Sequence, residues 1–263
     1  MFEFKSHYDI NDLIQIVKIL RSENGCPWDK VQTHSSIRAD FIEEVYEVVE
    51  AIDMDSAEML REELGDVLLQ VVFHSQIKTE ENVFNFEDVC NDVCQKLIIR
   101  HPHVFGEVKV DGCEQVLNNW EQIKQQTKGQ TTFTETLESV PKTFPALMRA
   151  QKVGKRAAKS GMDFADLSSA LEGLKAEIAE LEAAIAEKDQ EKITDEFGDV
   201  LFSCTNVARK AGVDSETALA GSTEKFIKRF AKTEELIRLK EMDMTSLSID
   251  ELDEYWKQAK AQN

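Results

Sequence analysis

Residues that form turns are scarce in this chain. Glycine (11) and proline (4) are few among its 263 residues, against a combined average usage of about 12%. This scarcity argues against a turn-rich β architecture and favours long helices. Hydrophobic residues make up 42% of the chain, which is enough for buried cores. We therefore predict an all-α protein with either one large domain or two ordinary ones.

Paired cysteines and long apolar runs are also missing. The five cysteines include no C-x-x-C pair, and an odd number of them is typical of free thiols in a reducing compartment. No apolar run approaches the ~20 residues that cross a membrane, and the N-terminal segment lacks the apolar core of a signal peptide. We expect a cytoplasmic protein that is not embedded in a membrane.

Positive charge is in deficit. The chain has 31 lysines and arginines against 50 aspartates and glutamates, which gives a formal net charge of −19. A chain with this excess of negative charge is not expected to bind nucleic acid or an anionic membrane by electrostatic attraction.

Two sets of four carboxylates share one spacing. Within each set the successive steps are 3, 16 and 3 residues, and the second set follows the first at a constant offset of 133. The sets are Glu44, Glu47, Glu63 and Asp66, and then Glu177, Glu180, Glu196 and Asp199. Residues three apart share a helix face. Each set therefore predicts an antiparallel helix pair, one helix with ExxE and the other with ExxD, whose carboxylates converge.

Converging carboxylates repel one another unless a cation lies among them. Oxygen ligands alone suit a hard cation, so we predict magnesium, with manganese as the alternative. Each half also has a lysine and an arginine four residues apart on a later helix, Lys96 with Arg100 and Lys225 with Arg229. A metal on one side and cationic side chains on the other suit a triphosphate.

Helical periodicity and a polar segment predict the domain organisation. The predicted helices span residues 9–21, 37–53, 56–79, 86–100, 112–126, 145–159, 166–188, 190–211, 214–239 and 248–262. The segment TKGQTT at 127–132 is polar and rich in threonine. We place a first domain at 1–126, a linker at 127–144 and a second domain at 145–263.

The motifs around these carboxylates resemble a known family. The segments NGCPWD at 24–29, RHPHVF at 100–105 and PALMRAQK at 145–152, together with ExxE and ExxD, resemble the MazG-type nucleoside triphosphate pyrophosphohydrolases over essentially the whole chain. The resemblance implies two tandem MazG-like helical bundles and a homodimer. It also implies magnesium-dependent hydrolysis of nucleoside triphosphates to monophosphate and pyrophosphate, with water attacking the α-phosphorus.

The resemblance also implies roles for individual residues, and it makes the second half the main catalytic unit. Its catalytic and metal-binding residues would be Glu177, Glu180, Glu196 and Asp199, and its nucleotide contacts Lys192, Lys225, Arg229 and Trp256. We expect Glu180 and Asp199 to be direct ligands, and Glu177 or Glu196 to hold the attacking water. The first-half carboxylates, with Lys96 and Arg100, would form a second site of undetermined activity. Met59 stands there in place of Lys192.

Two other functions fit parts of the pattern. A helical module that binds nucleotide without turning it over, or that binds a regulatory protein partner, would show similar amphipathic helices with acidic faces. A di-iron carboxylate bundle would need Glu-x-x-His motifs. None of the five histidines has a glutamate three residues before it, which argues against redox iron.

Overall fold

The fold is seen in a computed structural model that describes residues 2–113, 115–116, 119–120, 123, 127 and 129–261. All regular secondary structure in these ranges is helical, which confirms the predicted all-α class. The helices, numbered α1 to α11, are Ile10–Leu20, Arg38–Asp53, Ala57–Glu80, Phe86–Arg100, Pro102–Phe105, Phe133–Glu138, Ala146–Ala157, Leu167–Glu187, Gln190–Lys210, Ser215–Arg238 and Ile249–Ala261. None of them combines the length and apolar character needed to cross a membrane.

The chain divides into two compact units, Met1–Lys124 and Gln125–Asn263. The predicted helix 112–126, including its Lys124, lies in large part outside the described residues. The first unit has an apolar core between α1, the start of α2 and the C-terminal half of α3. Its buried members are Val17, Ile37, Val72, Phe73 and Ile77. This core packs against the C-terminal half of α3, and the N-terminal half of α3 packs against α2.

Each unit is built around a helix pair with a short connection. Helix α2 packs mainly on α3, and α8 packs mainly on α9. Both connections pass through a residue in the left-handed region, Asp55 at φ 52° and Lys188 at φ 58°. The next residue caps the following helix: Ser56 accepts a hydrogen bond from the Met59 backbone, and Asp189 accepts from the first turn of α9. Because these turns are also 133 residues apart, the repeat extends to the backbone.

The segment predicted as a linker contains helix α6. Thr132 begins the helix through a capping box in which its side chain accepts from the Glu135 backbone. Arg156 on α7 donates to the Thr136 carbonyl and, at 2.7 Å, to the Ser139 hydroxyl. Val140 is fully buried. This part of the segment is thus packed onto the second unit, and the sequence signal for it was the T-x-x-E pattern at 132–135.

A charge cluster fixes the loop before α8 to the end of α9. Asp163 in this loop accepts hydrogen bonds from Arg209 and, at 2.7 Å, from Lys210. The first unit fixes its corresponding loop differently. Arg21 pairs with Glu80 at the end of α3 and donates to the carbonyls of Asp29 and Gln32. Each unit therefore ties a loop to its ExxD helix with an arginine–carboxylate pair.

We expect Asp163→Asn to lower the free energy of unfolding by about 2 kcal/mol near neutral pH, because charge-assisted hydrogen bonds from two cationic side chains to this carboxylate are lost. Hydrogen bonds from Arg209 hold the pKa of Asp163 well below its ordinary value of 3.8. The folded-state pKa is depressed, so the stabilisation is present above 3.8 and is lost as the pH falls below it. Urea unfolding at several pH values measures this, with exposed Asp92→Asn as control. Equal effects of the two changes would contradict the prediction.

Candidate metal and nucleotide site

The two helix pairs each bring three carboxylates together. In the first unit, one oxygen from each of Glu44, Glu63 and Asp66 lies within 4.8 Å of the other two. In the second unit the corresponding group is formed by Glu177, Glu196 and Asp199. The ExxE helix supplies one member and the ExxD helix supplies two. Helical spacing on two packed helices thus produces an all-oxygen site of the kind that holds magnesium.

Two carboxylates of the first unit, Glu44 and Glu63, have raised pKa values. Partial desolvation raises the pKa of Glu44, and the charges of Asp66 and Glu47 raise it further. Desolvation also raises the pKa of Glu63, again with help from Glu47. Glu47 lies outside the three-oxygen group but acts on two of its members. Bringing these charges together without a cation is unfavourable, so the residues present fit a bound divalent metal.

The second unit shows the same electrostatic pattern. Partial desolvation raises the pKa of Glu177, followed by the charges of Asp199 and Glu180. Desolvation and then Glu180 and Asp199 raise the pKa of Glu196. Of the two residues expected as direct ligands, Asp199 lies in the three-oxygen group, whereas Glu180 lies beside it and is exposed. Glu180 therefore lies outside the group of oxygens that could share one metal ion, while its charge acts on Glu177 and Glu196.

The predicted nucleotide contacts lie in two separate parts of the second unit: Lys192 is on α9 with two of the carboxylates, and the other three residues are on α10 and α11. Lys192 lies in the first turn of α9, one turn before Glu196, and pairs with Glu187 at 2.6 Å. Lys225 is exposed on α10. Arg229 lies with its guanidinium 5.2 Å from the ring centre of Trp256 on α11. In the described part of the chain, no hydrogen bond or ion pair joins Lys225 or Arg229 to the carboxylates.

An arginine–tryptophan pair recurs in both units. The Arg100 guanidinium lies 5.3 Å from the ring centre of Trp120, and the Arg229 guanidinium lies over Trp256 at nearly the same distance. Phe226 also packs against Trp256 at 5.0 Å. Lys96 is exposed one turn before Arg100. The two halves thus share both the carboxylate group and a cation–π pair, in agreement with the repeat in the sequence.

A cavity opens beside each carboxylate group, and the sequence motifs did not predict either cavity. The second-unit cavity, of about 440 Å³, reaches from Glu177 to Phe164, Ser203, Asn206 and Arg209. The first-unit cavity, of about 450 Å³, lies beside Glu44 and Glu47 and is lined by several residues, including Trp28, Leu69, Gln70 and Phe73. The offset of 133 could have indicated these walls, because residues 69, 70 and 73 correspond to 202, 203 and 206.

An all-helical fold with two acidic helix-pair sites defines a class of proteins, and comparison with known sequences identifies the family. The family described as "MazG nucleotide pyrophosphohydrolase domain" matches residues 32–105 and again 166–233. Each match contains one full set of four carboxylates. The chain belongs to the MazG nucleotide pyrophosphohydrolase family, and the double match agrees with two tandem repeats.

Named relatives match almost the whole chain. A protein of Escherichia coli K12 named nucleoside triphosphate pyrophosphohydrolase is 42% identical over 256 residues, covering 96% of this chain and 97% of the relative. A Thermotoga maritima protein named nucleoside triphosphate pyrophosphohydrolase/pyrophosphatase MazG is 45% identical over 249 residues, covering 95% and 94%. The uncharacterized protein YabN of Bacillus subtilis is 42% identical, covering 97% of this chain and 52% of that protein.

Proposed function

We propose that this chain hydrolyses nucleoside triphosphates to nucleoside monophosphate and pyrophosphate, with magnesium held by the second-half carboxylates. The observation that carries the proposal is the convergence of Glu177, Glu196 and Asp199 on packed helices. The names of two full-length relatives support a nucleoside triphosphate pyrophosphohydrolase. The first-half group of Glu44, Glu63 and Asp66 has the chemistry of a second metal site.

The residues present suggest a division of labour. Glu177, Glu196 and Asp199 would hold magnesium, which when bound neutralises phosphate charge and supports the leaving group. Glu180, beside this group, orients a water molecule and accepts its proton. The water attacks the α-phosphorus, the bond to the bridging oxygen breaks, and pyrophosphate leaves. Lys192 lies one turn from Glu196 and favours the negative charge that accumulates on the leaving group.

A product analysis tests this function. Purified protein is incubated with Mg²⁺ or with a chelator and a panel of nucleoside triphosphates, and the products are resolved by chromatography. We expect monophosphate and pyrophosphate, and no turnover with the chelator. Diphosphate and inorganic phosphate would contradict the proposal. Binding without any turnover would favour a nucleotide-binding or regulatory module.

We also propose that the protein is a homodimer that uses an exposed apolar stripe on α2. Ile42, Val45, Val49 and Ile52 are spaced like the seam of a coiled coil and are 44–57% exposed. A contiguous exposed apolar surface is typical of an interface. A regulatory partner of the first half would compete for this surface. The cytoplasmic location remains a prediction.

We expect Val49→Glu to convert the dimer to a monomer, because a buried unpaired charge at the seam costs several kcal/mol. Light scattering after size-exclusion chromatography measures the mass, and the change Glu50→Gln on the same helix serves as control. A wild-type monomer, or a Val49→Glu dimer of unchanged affinity, would contradict this interface.

A further inference from the structure

All five histidines of this chain lie in its first half, and two of them form a partly buried contact that the proposed reaction does not use. Nδ1 of His34 lies 2.7 Å from Nδ1 of His74, and the two rings are stacked nearly parallel with 5.0 Å between their centres. His34 lies in the segment between α1 and α2, and His74 is on α3. The hydrogen bond therefore ties this segment to the helix that carries Glu63 and Asp66.

The surroundings of His34 determine which of the two rings donates. Nε2 of His34 is buried and has no hydrogen-bond partner among the described residues. A proton on this nitrogen would be a buried donor without an acceptor, which is unfavourable. The neutral form of His34 with its proton on Nδ1 avoids this cost and donates to Nδ1 of His74, which then carries its own proton on Nε2. Both rings are neutral in this arrangement.

Adding a proton to this pair is unfavourable at either site. Protonation of His74 at Nδ1 would set two N–H groups against each other and break the bond. Protonation of His34 at Nε2 would create a buried cation whose new N–H has no acceptor. Burial, followed by the charge of His34, lowers the pKa of His74 from its ordinary value of 6.5. Proton uptake therefore favours separation of the two rings.

The elements packed around α3 supply no carboxylate that would stabilise a charged His74. Helix α3 contacts α1, α2 and α4, and the ring of Phe41 on α2 lies 5.6 Å from that of His74. The charged side chains that border this part of α3 are Lys18 of α1, Arg21 after it, Arg38 and Asp40 of α2, Glu87 of α4, and Lys78 and Glu80 of α3 itself. None of these charges shifts the pKa of His74. Arg21 pairs with Glu80, and Lys78 pairs with Glu81.

The segment that His34 holds forms part of the wall of the first-unit cavity, which is lined by Trp28, Asp29 and Ile37 among others. Arg21 fixes the earlier part of the segment through the carbonyls of Asp29 and Gln32. Ile37, only 3% exposed, anchors its end in the core. Among the hydrogen bonds of the described residues, that of His34 is the one that joins the stretch 33–37 to α3. Its loss loosens this wall where it meets α2.

The second unit fixes its corresponding loop with charges that do not titrate near neutral pH. Arg209 and Lys210 donate to Asp163, and they hold the pKa of that carboxyl well below 3.8. Val207 stands at the position of His74 at the offset of 133. The two units therefore differ in how they should respond to mild acid.

We propose that the His34–His74 pair is a pH-sensitive latch of the first unit, which holds the segment beside the first-unit cavity at neutral pH and releases it in mild acid. The latch operates whether or not the second unit hydrolyses nucleotides. Proton linkage gives the size of the effect. For a released histidine with the ordinary pKa of 6.5, uptake of one proton raises the ratio of open to closed forms about tenfold between about pH 7 and pH 5.5.

Hydrogen–deuterium exchange of the full chain tests the latch. Exchange of backbone amides is followed by mass spectrometry at about pH 7 and about pH 5.5, with a chelator present so that no metal binds the imidazoles, and each rate is divided by its intrinsic rate at that pH. We expect protection of residues 33–41 to fall about tenfold or more in acid, while protection of the second-unit loop 161–170 changes less than about twofold. No fall in 33–41, or an equal fall in both loops, would overturn the proposal.

Two variants separate titration of the pair from a merely structural role. His74→Asn keeps an acceptor near Nδ1 of His34 but does not titrate in this range, so protection should stay high at both pH values. His74→Val, which matches Val207 of the second unit, removes the acceptor and should show low protection at both. A response of His74→Asn equal to that of the wild type, or full protection in His74→Val near pH 7, would overturn the latch. His74→Asn decides the question alone if His74→Val does not fold.

Discussion

Replacing Asp199 with asparagine should lower kcat/KM for a nucleoside triphosphate about 1,000-fold, whereas the matched change Asp66→Asn should lower it less than about threefold. Loss of a metal ligand removes several kcal/mol of transition-state stabilisation, and each 1.36 kcal/mol is about a factor of ten. The asymmetry is expected because Met59 replaces Lys192 in the first half. The first-half cavity also has Leu69, Gln70 and Phe73 where the second-half cavity has Phe202, Ser203 and Asn206.

The same pair of variants can reject this assignment. Steady-state rates measured under saturating Mg²⁺ show whether a loss comes from metal affinity, and circular dichroism shows that the variants are folded. Equal losses from both changes would mean two active sites or one coupled site. A loss from Asp66→Asn alone would move the reaction to the first half.

Neutralising Glu196 should stabilise the metal-free protein and remove most of its stabilisation by magnesium. Partial desolvation and the charges of Glu180 and Asp199 raise the pKa of Glu196 above its ordinary value of 4.5. A raised folded-state pKa means that the ionised group costs stability above that pKa, and that the cost disappears as the pH falls below 4.5. Glu196→Gln should therefore melt at a higher temperature than wild type near neutral pH, by a margin that shrinks in acid.

Magnesium should reverse the order of the two proteins. Metal that binds only the folded state at 100 times its Kd adds about 2.7 kcal/mol to the free energy of unfolding. The wild type should gain this stabilisation, and Glu196→Gln should gain little from the second site at the same concentration. Thermal unfolding with and without Mg²⁺ measures both effects, with exposed Glu182→Gln on α8 as control. An apo variant less stable than wild type would contradict the account of charge repulsion.

The sequence predicted the parts of the fold that depend on local pattern. The ExxE and ExxD spacing located the helix pairs to within one or two residues: the predicted 37–53 and 190–211 are Arg38–Asp53 and Gln190–Lys210. Period and capping determine such elements before any tertiary contact forms. The convergence of three carboxylates in each half follows from the same periodicity, because residues three apart share a face of their helix and the two helices of each pair pack together.

Other features depend on contacts between distant residues. Helix α6 lies in a segment whose polar composition suggested a linker, yet Arg156 and the buried Val140 hold it against the second unit. The role of Asp163 depends on Arg209, 46 residues away. The residues that line the two cavities correspond at the offset of 133 but differ in type. A search for identical residues in the two halves therefore does not find the cavities. The displacement of Glu180 from the three-oxygen group also needs side-chain coordinates.

Hydrolysis in oxygen-18-labelled water tests the central claim most directly. The protein is incubated with Mg²⁺ and GTP in labelled water, and mass spectrometry locates the label in the products. Attack on the α-phosphorus predicts that the label enters the nucleoside monophosphate and that the pyrophosphate stays unlabelled. Label in the pyrophosphate would place the attack at the β-phosphorus, and label in inorganic phosphate released with GDP would place it at the γ-phosphorus. Either result would contradict the proposed reaction.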